Sequence, residues 1–334
     1  MRDSGALLAF LKTLLVIPGI AILYLGAEWL IRGSAQVARA FGVKPLVVGL
    51  TVVAYGTSAP ELAIATKTAL TYHEPIALGT VIGSCAANIS LILGITALIS
   101  PPTIDGRIIR REVPVLLGSV IAVPLLFRNG VLSHVEGLVL IGCAIVFTIA
   151  TLTVSARLDP DDALETETKR TEDSGAALGG KARPRSSRVA AALQTVVGLV
   201  LLVVGSDLFV TGGRAIGGQL GISERMLGLT VIALGTALPE LIGSIVAASR
   251  GQAALAIGSV IGSNILNVFL VLGVTAYLRP IHAGELLHLP EMIGLVGITL
   301  LGVVMLRGSR KISRIEGAIL VLAYVAFIAT AAIF

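Results

Sequence analysis

Gly49 to Leu62 reads GLTVVAYGTSAPEL, and Gly228 to Leu241 reads GLTVIALGTALPEL. Each is an apolar stretch carrying one carboxylate, Glu61 or Glu240, directly after a proline. The copies lie 179 positions apart and agree at 10 of 14 places. The same offset, without a gap, pairs Gly83, Ser84 and Asn88 with Gly262, Ser263 and Asn267, and Gly26 and Glu28 with Gly205 and Asp207. Several motifs held at one unbroken offset mark an internal duplication that runs through the whole chain.

Hydrophobic residues make up 55% of the 334 and charged ones 13%, with a mean hydropathy of +0.94. A soluble domain averages about 25% charged, so the chain reads as an integral membrane protein. One helical span needs roughly 20 apolar residues, and such runs consume nearly the whole length. They are continuous rather than alternating, which favours helices over a membrane barrel. Spans are expected at about 6–31, 45–71, 76–100, 113–127 and 136–156, then at 189–213, 225–249, 253–278, 289–306 and 315–334. Ala6 to Ile31 exceeds the apolar core of a signal peptide and contains Pro18 and Glu28, so it reads as a retained span. Five spans per half is an odd number, which sends the second half into the membrane from the opposite side. The expected fold is therefore an all-α polytopic membrane protein with ten transmembrane helices in two inverted five-helix repeats. Residues 1–156 form the first repeat, 157–188 a linker and 189–334 the second. Cys85 and Cys143 both fall inside spans and read as small apolar residues, not as a disulfide.

With the N-terminus outside, 18 of the 25 Lys and Arg fall on the inner side. That bias places both termini outside and the linker in the cytoplasm, in a plasma (inner) membrane. The net charge of +5 is spread along loops, so the partner it implies is the lipid bilayer, and a nucleic-acid footprint is not expected. The linker begins acidic, at Asp159, Asp161 and Asp162, and ends basic, at Lys181, Arg183 and Arg185. Its acidic spacing matches no regular calcium loop, and the composition is that of a disordered tether.

A carboxylate near mid-bilayer costs several kcal/mol unless it faces a cavity or a partner. Lys67 sits toward the outer end of its span, and no neighbouring apolar stretch supplies cations for both glutamates, which makes Glu61 and Glu240 functional candidates. Thr57 and Glu61 are four apart on one helix face, as are Ser84 and Asn88, and all offer oxygen. Hard cations want oxygen ligands, so the cluster points to a metal ion more than to a proton relay. Pro60 and Pro239 cannot donate to the carbonyls of Gly56 and Gly235, which predicts broken helices of the kind that present backbone oxygens to cations. The glycines at 79, 83, 94, 258, 262 and 273 read as close helix packing. Glu28 and Asp207 lie near span ends, where Glu28 can meet Arg32, and read as structural or gating groups. Glu112 and Glu291 are expected to begin helices. His73, His134, His282 and His288 read as solvated outer-loop residues.

GTSAPE followed by GTVIGSCAAN, and GTALPE followed by GSVIGSNILN, resemble the two alpha repeats of the sodium/calcium exchanger family, within the calcium/cation antiporter superfamily. The resemblance spans essentially the whole chain. It implies ten helices in two inverted repeats, no enzymatic activity, no cofactor, and Ca²⁺ and Na⁺ as transported ions. The ion ligands it implies are the carboxylates of Glu61 and Glu240, the hydroxyls of Thr57, Ser58 and Thr236, the partner-helix groups Ser84, Asn88, Ser263 and Asn267, and the main-chain carbonyls of Ala54 and Ala233. It further implies alternating access, with helices one and six sliding across the other eight. Three departures stand out: Ala237 where the family pattern has Ser, Cys85 where it has Asn, and Asn267 where potassium-dependent relatives have Asp. The last argues against potassium co-transport. A calcium/proton antiporter is the first alternative, since the same glutamates could carry H⁺. A cation channel or a non-transporting scaffold is the alternative of another class, although a scaffold has no use for duplicated buried carboxylates.

Overall fold

The computed structural model describes residues 12–41, 43–70, 74–102, 106–154, 186–220, 233–282, 289–308 and 311–333. The described residues are helical nearly throughout. In the first half these are α1 (Val16–Phe41), α2 (Pro45–Val48, Gly49–Val53, Ala54–Thr57 and Ala59–Leu70), α3 (Glu74–Ala86, Ala87–Ile92 and Leu93–Ile99), α4 (Gly106–Leu126) and α5 (His134–Val154). In the second half they are α6 (Ser186–Gln219), α7 (Ala233–Ser249), α8 (Ala253–Leu266, Asn267–Leu272 and Gly273–Leu278), α9 (Leu289–Gly308) and α10 (Arg314–Ile333). Among the described residues seven stretches are long and apolar enough to cross a membrane: Val16–Ala38, Pro45–Lys67, Ala77–Ile99, Arg110–Asn129, His134–Thr153, Arg188–Gly217 and Ala253–Leu278. α7, described only from Ala233, contributes a shorter apolar helix, Ala237–Ser249.

Third and fifth helices obey the duplication to within a residue: α3 and α8 end 179 positions apart, and so do α5 and α10. The first helix departs from the expected 6–31. Residues 1–11 lie outside the described ones, and the helix runs on to Phe41, because Arg32, Ala35, Gln36, Ala38, Arg39 and Ala40 are good helix formers even though the apolar run has ended. α4 begins at Gly106 rather than near 113, which places Glu112 inside the helix, buried, instead of at its N-terminus. Glu291 does stand in the first turn of α9. The linker reading falls almost wholly on residues 155–185, outside those described, and Ser186 already opens α6.

α1 and α6 pack against each other along their lengths. Gly19, Gly26 and Gly33 recur every seven residues on α1, and Gly198, Gly205 and Gly212 repeat them on α6. A methyl group on Gly26 would stand 2.7 Å from the Leu202 main-chain nitrogen, and one on Gly198 only 2.3 Å from that of Leu30. Gly19 meets Phe209 and Gly33 meets Thr195, so the two helices run antiparallel. Small residues at heptad spacing let the backbones touch, which is how helices associate where no hydrophobic effect separates protein from lipid.

The two halves interlock. α3 packs on α10 through Gly94 and Gly317, and α8 packs on α5 through Gly273 and Gly137. Each third helix thus meets the other half's fifth. At one end of the molecule the turns after α4 and α8 pair as two-residue antiparallel strands, β1 (Val131–Leu132) and β2 (Ile281–His282), with Val131 opposite His282. At the same end His134 Nδ1 lies 2.6 Å from the Tyr277 carbonyl oxygen, so it is anchored rather than merely solvated. His73 and His288 lie outside the described residues. Elsewhere Ile312 N donates to the Pro102 carbonyl at 3.3 Å, joining the turns after α3 and α9.

Candidate ion-binding site

The two proline motifs fold differently. In the first, the helix halts at Ser58, whose φ of −79° and ψ of 0° end the Ala54–Thr57 turn while its N–H donates to the Ala54 carbonyl at 3.0 Å. A new segment begins at Ala59, so Pro60 falls in a first turn where its missing N–H costs nothing. Glu61 then also sits in that first turn, where a helix end favours negative charge. In the second motif Pro239 lies inside an unbroken helix, Ala233–Ser249, against the expectation of a break. The reason is Ser206 of α6, whose hydroxyl donates to the Gly235 carbonyl that the proline frees. Ala27 holds the corresponding place on α1 and has no hydroxyl to give.

Glu61 and Glu240 are each only 1% exposed. They lie near enough to interact electrostatically. Neither oxygen of Glu240, nor Oε2 of Glu61, has a hydrogen-bond partner among the described residues. The Thr57 hydroxyl is beside the Glu240 carboxyl but turned to the Val53 carbonyl at 3.0 Å. It also reaches Ser263 Oγ at 3.3 Å, which ties α2 of one half to α8 of the other. That approach depends on glycine: methyl groups on Gly49, Gly258 or Gly262 would stand 2.6–2.8 Å from main-chain atoms across the α2–α8 contact. Gly79 and Gly83, by contrast, have no such neighbour within 4 Å, so the packing reading fails for them among the described residues.

Asn88 and Asn267 are buried, and all four of their amide atoms lack hydrogen-bond partners. Each stands at the start of a π-helical stretch, Ala87–Ile92 in α3 and Asn267–Leu272 in α8, and a third, Gly49–Val53, precedes Ala54. Such stretches concentrate at functional sites because the wider turn redirects side chains and loosens backbone hydrogen bonds. Ser84 is buried one turn before Asn88, and Ser58 Oγ is buried without a partner among the described residues. The Ala54 carbonyl accepts from Ser58 N and, at 3.4 Å, from Thr57 Oγ1. Ala233 and Thr236 open α7, and their side chains are outside the described ones.

Three groups were not singled out as ligands by sequence reasoning. Asn264, the counterpart of Cys85, is fully buried with an unpartnered amide, and its place in the repeated GS-x motif was the available signal. Ser244, one turn beyond Glu240, has a buried and unpartnered hydroxyl. Cys85 is not merely packing: its Sγ lies 3.8 Å from the Asn264 carbonyl oxygen and beside the Glu61 carboxylate and the Asn267 amide. Among the described residues no three His, Cys, Asp or Glu side chains converge. A cation held between the glutamates would therefore draw its other ligands from amides, hydroxyls and carbonyls, the hard donors suited to calcium and sodium.

A sequence profile of the sodium/calcium exchanger protein family matches this chain twice, over residues 11–153 and 190–332. The chain belongs to the sodium/calcium exchanger family. It is 32% identical to the putative antiporter CaxA of Alkalimonas amylolytica, across 94% of this chain and 97% of that protein. It is 29% identical to the sodium/calcium exchanger MaX1 of Methanosarcina acetivorans, again over 94% and 97%. Its fold superposes on the sodium-calcium exchanger NCX_Mj, soaked with Na⁺ and Sr²⁺, with a TM-score of 0.81 at 32% identity, covering 96% and 98% of the two chains. As a family member the chain is a membrane transporter of cations and not an enzyme.

One further contact bears on how this exchanger-family protein is held together. Glu28 of α1 pairs with Arg32 on its own helix and with Arg250, which follows α7 just before the left-handed turn at Gly251. The Arg250 side chain is 45% exposed, so solvent screens the pair and weakens it. Arg250→Ala is expected to leave the melting temperature in detergent nearly unchanged and to alter ion exchange by no more than about fivefold. Paired melting and flux measurements check both halves of that expectation.

Proposed function

We propose that the chain is a secondary active antiporter that exchanges Na⁺ for Ca²⁺ by alternating access to one mid-membrane site. The observation that carries the reading is the pair of buried, repeat-related glutamates, three of whose four carboxylate oxygens lack hydrogen-bond partners among the described residues, in an interior that also buries the unpartnered amides of Asn88 and Asn267. Two carboxylates supply a charge of about minus two, which suits one dehydrated Ca²⁺ or the Na⁺ ions that replace it. The proposed ligands are Glu61, Glu240, Asn88, Asn267, Ser84, Ser263, Thr57, Thr236 and Ser58, with the carbonyls of Ala54 and Ala233. Ten spans in two inverted repeats, 1–156 and 189–334, would carry them, with the 157–188 linker cytoplasmic and both termini outside a plasma (inner) membrane. The antiparallel α1–α6 pair and the pairing of the turn after α4 with the turn after α8 support that topology. The moving element is the α1–α6 pair, whose backbone contact makes it one rigid body, sliding over the rest.

Ca²⁺ uptake into proteoliposomes under an imposed Na⁺ gradient and, separately, an imposed proton gradient tests the coupling. Uptake driven by Na⁺ is expected, and uptake driven by protons alone would overturn it. The proton reading draws its support from Ala237, which is buried where Ser58 stands in the first repeat, so one hydroxyl is missing. Ala237→Ser is accordingly expected to lower the Na⁺ concentration for half-maximal Ca²⁺ release by about two- to fivefold, the worth of one hydroxyl ligand of about 0.5–1 kcal/mol. Flux against Na⁺ concentration in both proteins measures the shift.

A further inference from the structure

We propose that Cys85, with Glu61 and Asn267, forms a binding site for thiophilic divalent cations inside the ion pathway. The thiol is 1% exposed, as is Glu61, and Asn267 is fully buried. Cys85 Sγ faces the Glu61 carboxylate and the Asn267 amide, and it lies 3.8 Å from the Asn264 carbonyl oxygen. Oε2 of Glu61 and both amide atoms of Asn267 have no hydrogen-bond partner among the described residues. One sulfur, one carboxylate with an unpartnered oxygen and one amide therefore lie together in the protein interior.

Hard cations are indifferent to such a sulfur, whereas a soft divalent ion gains a bond that an all-oxygen site cannot offer. On binding, Sγ takes the metal as it gives up its proton to water, and Glu61 supplies the second negative charge, so the ion is neutralised within the site. The second repeat places Asn264 where the first has Cys85, so the soft donor is confined to one side of the cluster. A soft ion held here takes Glu61 away from calcium and blocks exchange. The inference rests on the reading of Glu61 as an ion ligand and adds to it a selectivity that an exchanger with asparagine at this place lacks.

Cd²⁺ is the probe, with the purified full-length chain in which Cys143→Ser removes the other thiol. Cd²⁺ titration is expected to produce the ultraviolet sulfur-to-cadmium charge-transfer band, and Cys85→Ser is expected to abolish it. In proteoliposomes Cys85→Ser is expected to weaken Cd²⁺ inhibition of Ca²⁺ uptake by about tenfold while leaving Sr²⁺ inhibition unchanged. Cys85→Asn, which restores the donor of the second repeat, provides the same comparison should the serine variant fold poorly. A band that survives both substitutions, or Cd²⁺ and Sr²⁺ inhibition that shift together, would overturn the inference. If the unsubstituted chain moves no calcium at all, the antiport reading fails while the band still decides the role of the thiol.

Discussion

Glu61→Gln and Glu240→Gln are each expected to cut Na⁺-dependent Ca²⁺ exchange at least about a hundredfold, a loss equivalent to about 2.8 kcal/mol. The substitution keeps the shape of the side chain and removes one of the two charges in a site from which water is almost wholly excluded. A unit charge about 4 Å from a carboxylate gains roughly 4 kcal/mol at an effective dielectric near 20, and a divalent ion gains more. The amides and hydroxyls around the glutamates carry no charge to replace it. Stability is expected to move the other way. A carboxylate buried in the bilayer without a basic partner destabilises the empty protein, so each variant should melt at the same or a higher temperature than the parent. Flux and detergent melting on the same preparations separate a lost ligand from a lost fold: a variant that melts lower and transports less would point to misfolding instead.

Gly198→Val is expected to produce the second largest effect, acting on the helix pair rather than on the ion. A Cβ there would lie 2.3 Å from Leu30 N and 2.7 Å from Leu30 Cα. Those are main-chain atoms of the opposing helix and cannot rotate away, so α1 and α6 must separate. Overpacking of this kind costs about 1–3 kcal/mol, and displacing α6 also pulls Ser206 from the Gly235 carbonyl, one turn before Pro239 and its neighbour Glu240. Exchange is expected to fall more than about tenfold, with a lower melting temperature. Gly118→Ala is the control. A Cβ there meets nothing within 4 Å, and alanine is the better helix former. Flux and melting curves for the two variants side by side check the contrast.

The duplication and the glutamates could be read from residues alone because both are properties of covalent order: a repeat at fixed offset, and a charge inside an apolar run. The α8 boundaries, Ala253 to Leu278, matched because that helix is almost entirely buried and apolar. α1 was misplaced because hydropathy marks where lipid begins, not where helical hydrogen bonding stops, and the helix continues through Arg32 to Phe41. The different fates of Pro60 and Pro239 were invisible because they turn on a tertiary contact: Ser206 is distant in sequence from Gly235 and has no hydroxyl counterpart at Ala27. Arg250 reaching Glu28 and Cys85 reaching Glu61 were hidden for the same reason. The π-helical turns at Asn88 and Asn267 depend on how α3 and α8 pack, and apolar periodicity does not record them.

The central claim is that Ca²⁺ and Na⁺ use one site between Glu61 and Glu240 in turn. Its most direct test is equilibrium binding of radioactive Ca²⁺ to the purified chain across a series of Na⁺ concentrations. The account predicts pure competition: the apparent Kd for Ca²⁺ climbs without limit as Na⁺ rises, while the number of Ca²⁺ sites stays the same. A Kd that levels off, with both ions bound together, would contradict it.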